Sequence, residues 1–359
     1  MVVKNAVKSV INRLGYSVMK TSTFDALKRG TVEPLNRLTS KAETTDNNTD
    51  NPSIEQIVQR YGPEIVFCMA STGIGTDECM DKGCLPVLTH FYQPIPNLKE
   101  LERRKVWDKV SDLAGIAWNP HEYLQYLHEL ADYANECDWP NEPLPNATPM
   151  SFHINNTSFS YGCASVLHSI IRKNEPKRII EIGSGNSSKI IASALSATQI
   201  NTRYTIIDPY SLIDVACYPK GSDLLKKPVE EVDLSVFLEL QEKDILFIDS
   251  SHVCKIGSDV NFEILDILPK LNKGVYVHFH DIDLPFEYSK VYATTPTFRM
   301  FWTESYLLQA FLSHNNKYKI ILPMAFIQRN HAEIFKRLFP KGNNAKLWGS
   351  GSFWIKCIK

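Results

Sequence analysis

From about residue 150 onward, short apolar runs alternate with segments that have helical spacing. The apolar runs are rich in β-branched and aromatic residues, and three of the four main runs end in an acidic residue. Strands that alternate with helices predict right-handed crossovers and a mainly parallel, doubly wound α/β sheet. The predicted strands are 178–183, 203–208, 244–249 and 274–281, and the helical candidates lie near 187–197, 234–241, 258–271 and 303–314.

Two further apolar runs, 317–323 and 351–358, are expected to close the sheet as a pair of strands at one edge. In the helical segment that precedes them, Trp302, Tyr306 and Phe311 are expected to lie in the core, because large aromatic residues usually do. Together these patterns indicate one α/β domain over residues 151–359.

The pattern differs between residues 54 and 150. Here a helical stretch and a proline-punctuated aromatic segment, 85–98, precede a second helical stretch, 119–136. Tyr123, Tyr126, Leu127 and Leu130 recur at steps of three and four residues, which is typical of a helix with one apolar face. We expect this part of the chain to be an accessory, mainly helical region.

The first 36 residues have basic and apolar positions at helical spacing and no acid before Asp25. Such a segment suits an anionic membrane surface or a partner groove, or it packs as a helix on its own domain. Residues 37–53 are polar and nearly free of large apolar side chains, so we expect a flexible linker. A signal peptide is not expected, because a continuous apolar core and a cleavage site are missing.

Composition restricts the classes of function. The 359 residues are 43% hydrophobic and 22% charged, with a formal net charge of -1. These values are typical of a soluble globular protein, and without a basic field a nucleic-acid partner is not expected. The eight cysteines lack the spacing of a disulfide framework, which favours a reducing cytoplasm. A homo-oligomer is left open.

The stretch RIIEIGSGNSSKIIASAL, residues 178–195, combines a strand, a bare turn and a helix. In such sheets ligands bind beyond the carboxyl ends of the strands. Gly183 and Gly185 let the backbone approach a ligand closely, and Asn186 and Ser187 offer donors or cap the helix. A dinucleotide site would have a third glycine where Ser188 stands, and Glu181 would repel a diphosphate. S-adenosylmethionine fits better, because Glu181 suits its cationic end.

At the end of the next strand, Asp208 is placed to accept hydrogen bonds from the ribose hydroxyls of that cofactor. The segments EIGSGNSS, IIDPY, LFIDSSH and HFHDI resemble a class I S-adenosylmethionine-dependent methyltransferase. They are most similar to a bacterial branch with Asp-x-x-His and His-Asp motifs that is associated with small molecules and cell-surface sugars. The resemblance covers residues 150–285 and departs from the family at Ser250, where glycine is usual.

The resemblance implies a mostly parallel, seven-stranded Rossmann-like sheet. It also implies that residues 155–162 close over the cofactor through Asn156 or Tyr161, and that Asp233 approaches the adenine. Its acceptor would be a sugar or a glycan precursor. A non-sugar secondary metabolite, or a binding module that has lost turnover, is the alternative. The aromatic segment with His90, Phe91 and Tyr92 lines an acceptor pocket or packs as a strap over the domain.

A sugar hydroxyl is too weak an acid to ionise near neutral pH, so methyl transfer to it needs a base, a metal ion or both. Two strand ends bring Asp249, His252, His280 and Asp281 to one edge of the sheet. His252 is the preferred general base, because an ordinary pKa near 6.5 leaves neutral imidazole available. Asp249 and His280 accompany it as catalytic candidates.

The same edge predicts a metal site. Asp249, His280 and Asp281 are candidate ligands for Mg²⁺ or another divalent ion, which would lower the pKa of the acceptor hydroxyl. His278, inside the strand, is expected to be a core histidine, and Asp249 has the alternative of a helix cap or a cofactor ligand. The sequence therefore predicts a cytoplasmic O-methyltransferase, placed peripherally at the inner membrane surface if its N-terminal helix binds lipid.

Overall fold

The computed structural model describes residues 54–198, 200–296, 299–342, 345, 349 and 351–359. The predicted amphipathic segment 1–36 and linker 37–53 lie outside these residues. Contacts divide the chain into one unit that extends to Asn97 and a second unit, Leu98–Lys359. Each unit is described by itself.

The described part of the first unit is helical at its start. Helix α1 spans Ile54–Thr72 and helix α2 spans Thr76–Met80. Gly73, at φ +75°, ends α1 by donating its backbone N–H to the carbonyl of Met69. The proline-punctuated segment that follows has no regular secondary structure, and Phe91 and Tyr92 are exposed.

The second unit contains a seven-stranded sheet with the order β3-β2-β1-β4-β5-β7-β6. The first five strands run parallel, and β7 pairs antiparallel with both β5 and β6. This confirms the predicted doubly wound α/β sheet and its two closing strands. The strands are β1 Arg178–Ile182, β2 Arg203–Ile207, β3 Asp223–Leu225, β4 Ile245–Ile248, β5 Tyr276–Phe279, β6 Tyr318–Pro323 and β7 Phe353–Cys357.

Helices cover the sheet and precede it. Short 3-10 turns occur at Val106–Asp108, Ala131–Glu136, Val215–Cys217, Val229–Glu231 and Pro340–Gly342. The α-helices are α3 Leu98–Arg103, α4 Pro120–Leu130, α5 Tyr161–Asn174, α6 Asn186–Ser196, α7 Ser235–Leu238, α8 Asp259–Asn261, α9 Lys290–Thr294, α10 Glu304–Leu312 and α11 Met324–Leu338.

The core is built from strands that are apolar on both faces. Ile179, Ile206, Phe247 and Val277 are fully buried, as expected for a parallel sheet covered by helices. Each such side chain stabilises the fold by about 1.5–3 kcal/mol relative to an exposed one. Helix α4 begins at the Asn119 cap and buries Tyr123, Leu127 and Leu130, so its predicted apolar face is confirmed.

Three expectations about the helices need correction. The helix expected near 234–241 is only the short α7. The helix expected over 258–271 is interrupted: α8 continues into a π-helical turn, Phe262–Ile267, and a 3-10 turn, Leu268–Lys270, because Pro269 has no N–H to continue an α-helix. Tyr306 is 50% exposed and Trp302 is half-buried, so neither belongs to the core, whereas Phe311 packs against it.

No helix among the described residues is both long enough and apolar enough to cross a bilayer.

Candidate active site

The register of the parallel strands brings four chain segments to one edge of the sheet. Ile182 pairs with Ile207 on one side and with Ile248 on the other, and Ile248 pairs with Phe279. The residues that follow these four positions are Gly183, Asp208, Asp249 and His280. The sequence prediction that these residues share one edge is therefore met by the register of the sheet.

The two glycines of the turn after β1 serve different purposes. Gly183 has φ +80°, and a Cβ built there would lie 2.0 Å from the carbonyl oxygen of Asp249. This glycine is therefore required for the close approach of the β1 and β4 ends. A Cβ built at Gly185 meets no protein atom within 4 Å. Open space beside Gly185 is where a ligand can approach the backbone.

Asp208 is held in place by the glycine turn. Its Oδ2 accepts hydrogen bonds from the backbone N–H of Ser184, at 3.0 Å, and from the Ser184 hydroxyl, at 2.5 Å. Its Oδ1 accepts one from the N–H of Tyr210, at 2.8 Å. A carboxylate oxygen can accept two hydrogen bonds. Oδ1 therefore keeps a lone pair for a hydroxyl donor such as a ribose hydroxyl.

The loop before α5 lies against the glycine turn. The Asn186 side-chain N–H donates to Oδ1 of Asn156, at 3.1 Å, and to the hydroxyl of Ser158, at 3.0 Å. Asn156 in turn accepts from the backbone N–H of Phe159, at 2.7 Å. Asn156 thus shapes the loop next to the turn. Tyr161 is different: it is fully buried, and its hydroxyl donates to the carbonyl of Cys137.

Glu181 lies inside the fold. Its Oε2 accepts a hydrogen bond of 2.8 Å from Ser188 and another from the Tyr204 hydroxyl. Burial raises the pKa of Glu181 to about 7, although hydrogen bonds from Ser187, Tyr204 and Ser188 oppose this shift. Glu181 is therefore hydrogen-bonded to the first turn of α6 from inside the fold.

Asp233 is exposed, eight residues beyond the end of β3. Its Oδ1 accepts a hydrogen bond from the N–H of Ser235, the first residue of α7, at 2.8 Å. The structure thus gives Asp233 a local hydrogen bond to the start of α7, and its approach to the adenine stays a prediction.

His252 lies among three carboxylates at the carboxyl edge of the sheet. Its Nδ1 lies 2.8 Å from Oε2 of Glu304, and its Nε2 lies 3.4 Å from Asp249 and 3.8 Å from Asp281. The backbone at His252 has φ +61°, a left-handed conformation that is uncommon outside glycine. Strained backbone of this kind clusters at functional sites. We call these four residues the His252 cluster.

Charge and burial act in opposite directions on this cluster. Burial lowers the pKa of His252, but the hydrogen bonds to Asp249 and Glu304 and their charges outweigh it, so its pKa lies well above the ordinary value. Burial likewise opposes the pKa shifts of Asp249 and His280. The charge of His280 lowers the pKa of Asp249 to about 2, and Asp249 and Asp281 raise that of His280 to about 10.

One premise of the sequence analysis is therefore wrong. We expected an ordinary pKa that leaves His252 neutral, but the surrounding carboxylates hold the proton on the resting imidazole. Glu304 was missed because it is 52 residues away and its helix shows only ordinary apolar spacing. No local sequence signal links a glutamate at a helix start to a histidine in a distant loop.

A second buried carboxyl group lies behind the cluster. Glu263, on the π-helical turn, is fully buried and accepts a hydrogen bond of 3.0 Å from the Ser250 hydroxyl. Burial and the charge of Glu304 raise the pKa of Glu263 well above the ordinary value, so it holds its proton. Ser250, the departure from the family pattern, thus has a structural partner of its own.

The predicted metal ligands do not form a metal site in the described part of the chain, where no three His, Cys, Asp or Glu side chains are arranged to hold an ion. His280 forms an ion pair with Asp281 at 3.7 Å, and its ring stacks on Phe159. Asp281 has φ +53°. Gly351 packs against it so closely that a Cβ built at Gly351 would lie 2.8 Å from Asp281. His278 is a core residue, as expected, stacked on Phe247.

Two aromatic rings border the His252 cluster. The Trp302 ring lies 4.6 Å from the His252 ring and 4.3 Å from the Tyr292 ring. Both aromatic side chains are half-buried. They come from the segment after β5, which the sequence analysis did not connect with the site. The predicted aromatic residues His90, Phe91 and Tyr92 belong to the first unit, and their role stays a prediction.

Comparisons with known proteins agree with this architecture. Residues 180–282 match a family model described as a methyltransferase domain. An uncharacterised protein of Archaeoglobus fulgidus is 34% identical over 167 residues, which cover 44% of this chain and 74% of that protein.

Two solved structures are more distantly similar. A putative O-methyltransferase from Klebsiella pneumoniae is 12% identical, with 68% of this chain and 92% of that chain covered and a TM-score of 0.33. A methyltransferase of Podospora anserina, bound to S-adenosylhomocysteine, is 14% identical, with 77% and 100% covered and a TM-score of 0.36. The match over residues 180–282 thus identifies a methyltransferase domain within this chain.

Proposed function

We propose that the protein transfers a methyl group from S-adenosylmethionine to a hydroxyl group, with a sugar or a glycan precursor as the acceptor. The observation that carries this proposal is the His252 cluster at the carboxyl edge of the sheet. There, Glu304 holds Nδ1 of His252, while Nε2 faces Asp249 and Asp281 near the glycine turn.

The residues at the glycine turn fit the cofactor. Open space beside Gly185 admits a ligand against the backbone, and Asp208 keeps an acceptor lone pair for a ribose hydroxyl. Asn156 and Asn186 tie the neighbouring loop to this turn. When bound, the cofactor supplies an activated methyl group on a positively charged sulfonium.

His252 is the proposed proton acceptor. Its Nδ1–H is held by Glu304, so loss of the second proton frees the lone pair of Nε2 on the side of Asp249 and Asp281. A cation bound next to the cluster lowers the pKa of His252 and favours this neutral form. After proton transfer, Glu304 and Asp249 stabilise the imidazolium by charge.

Support for a sugar comes from the family resemblance, and the half-buried rings of Trp302 and Tyr292 suit the apolar face of a pyranose. A non-sugar secondary metabolite is the alternative acceptor. Since the candidate ligands do not fit a metal ion, no step is assigned to one.

A screen with methyl-labelled S-adenosylmethionine tests the proposal. We expect label on at least one methyl glycoside, and a loss of about 100-fold or more in His252→Ala, the size of a general-base contribution. His121→Ala, an exposed histidine on α4, is the control. Parallel reactions with Mg²⁺ and with a chelator test the metal prediction. Label only on phenolic or amine acceptors, or full activity of His252→Ala, would contradict the proposal.

We also propose that residues 1–36 hold the protein at the inner membrane surface of the cytoplasm. The support is their basic, amphipathic spacing. Flotation with vesicles that contain anionic lipid should recover the full chain and not a chain without residues 1–36. Equal recovery of the two would contradict this.

A further inference from the structure

The segment from Asp283 to Thr303 leaves the site after β5 and returns to it. Its far end is fastened to the His252 loop, because the backbone N–H groups of Thr303 and Glu304 donate to the His252 carbonyl at 2.9 and 3.1 Å. Midway, the N–H of Met300 donates to the carbonyl of Tyr292, at 2.9 Å. The described parts of this segment, 283–296 and 299–303, therefore border the His252 cluster.

Three side chains of this border lie near the cluster. Trp302 packs between the rings of His252 and Tyr292, and the Tyr292 hydroxyl is within electrostatic reach of Asp281 and Asp283. We call Asp283, Tyr292 and Trp302 the acceptor wall. Because Trp302 contacts the proposed base directly, a molecule that lies on the wall lies next to the His252 ring.

The polar groups of the wall are not used by the protein. Within the described residues, the Asp283 carboxylate and the Tyr292 hydroxyl have no hydrogen-bond partner, although both side chains are half-buried. Neither group is among the fully buried polar atoms without a partner, so both reach solvent and are open to hydrogen bonds from a bound molecule. A carboxylate that accepts and a phenol that donates or accepts, set beside an aromatic face, suit a ring that carries several hydroxyl groups.

The charge at the wall is negative. Asp281 and Glu287 each act electrostatically on the carboxylate of Asp283, and Arg329, above the Phe286 ring at 4.0 Å, is the cation that acts on it. An acceptor with a carboxylate or phosphate group would meet these carboxylates at short range in a partly desolvated site, where like charges repel strongly.

We propose that Asp283 and Tyr292 position the acceptor, and that the wall selects a polyhydroxylated acceptor without an anionic group. This inference rests on the proposed function. The carboxylate of Asp283 accepts hydrogen bonds from acceptor hydroxyls, Tyr292 adds a further hydrogen bond, and Trp302 covers the apolar face of the ring.

The test measures the binding of paired probes to the full-length protein saturated with S-adenosylhomocysteine. The pairs are the methyl glycosides of glucose, galactose and mannose and the methyl glycosides of their uronic acids, which differ by a carboxylate. We expect at least one neutral glycoside to bind, and its uronide to bind about tenfold more weakly or worse. Asp283→Asn should weaken binding of the neutral glycoside and reduce the difference in affinity between the glycoside and its uronide. Tyr292→Phe should weaken binding of both members of the pair.

Asp132→Asn and Tyr133→Phe, which lie on the 3-10 turn Ala131–Glu136, are the matched controls. They should leave the affinities for the glycoside and for its uronide unchanged. The affinity for S-adenosylhomocysteine should stay the same in all four variants, which separates a positioning role from a folding defect. The proposal is overturned if no neutral glycoside binds, if uronides bind as tightly, or if Asp283→Asn binds like the wild type. Failure of S-adenosylhomocysteine itself to bind would instead overturn the proposed function.

Discussion

At the scale of single residues, His252 shows how the site controls one proton. Burial favours the neutral imidazole, whereas Asp249 and Glu304 favour the charged one, and the carboxylates prevail. A base with a raised pKa is strong but occupied at neutral pH. The proposed reaction therefore needs either a higher pH or a neighbouring positive charge to release the proton.

This balance gives the pH dependence of the reaction. We expect kcat/KM to rise with pH, with an inflection above the ordinary histidine pKa of 6.5. Glu304→Gln removes one of the charges that raise this pKa, so the inflection should move to lower pH by about one unit or more. Initial rates between pH 5 and 10 measure this. An unchanged inflection in Glu304→Gln would exclude Glu304 as the partner that sets it.

Glu181 gives a second pH effect, on stability. Its pKa rises from 4.5 to about 7 on folding. The folded state therefore binds this proton more tightly, so the contribution of Glu181 is fully present below about pH 4.5 and is lost as the pH rises to about 7. We expect Glu181→Gln to be more stable than the wild type at pH 8, on the order of 2 kcal/mol, and no more stable at pH 4.

Urea unfolding of the cofactor-free protein at the two pH values measures this difference, with the exposed Glu230→Gln as the control. A Glu181→Gln variant that is equally stabilised at pH 4 and pH 8 would show that the buried charge is not the cause.

At the scale of elements, the turn between β1 and α6 contains one glycine that is needed for folding and one that borders the ligand space. The two glycines are two residues apart, yet one packs on the end of β4 and the other borders open space. From the sequence, both glycines were assigned to the ligand. Only the register of β1 with β4 shows that Gly183 is needed for the sheet itself.

Substitution of the two glycines by alanine should affect different properties, stability for Gly183 and cofactor binding for Gly185. Gly183→Ala should destabilise the protein by about 2 kcal/mol or more, because a Cβ collides with the Asp249 carbonyl at a positive φ. Gly185→Ala should cost less than about 1 kcal/mol in stability but weaken the binding of S-adenosylhomocysteine. Urea unfolding and calorimetry measure both variants. The assignment fails if Gly185→Ala is the less stable protein or binds the cofactor normally.

At the scale of the whole molecule, the alternation of apolar runs and helices was enough to predict the parallel sheet and the edge that carries Asp208, Asp249 and His252. The partners that complete the site were not predictable, because Glu304 begins a helix with only ordinary apolar spacing, and Tyr292 and Trp302 lie in the segment that leads to it. Their placement depends on the tertiary structure alone.

The crossover between β2 and β3 is also irregular. It contains no α-helix, and a cavity of about 450 Å³ borders β1, β2 and β3. Arg178, Arg203 and Glu239 line it, and each arginine forms an ion pair with Glu239. Arg178 and Arg203 are the first residues of their strands, so this cavity lies at the amino ends, opposite the edge that carries the His252 cluster.

The central claim, that the carboxyl edge of this sheet binds S-adenosylmethionine, is tested most directly by calorimetric titration of the full-length protein with S-adenosylhomocysteine. We expect micromolar binding, about -8 kcal/mol, in buffers with Mg²⁺ and with a chelator alike. Asp208→Asn should bind about tenfold more weakly or worse, because a charge-assisted hydrogen bond is lost, whereas the exposed Asp214→Asn should not. No binding in either buffer, or equal binding by Asp208→Asn, would contradict the claim.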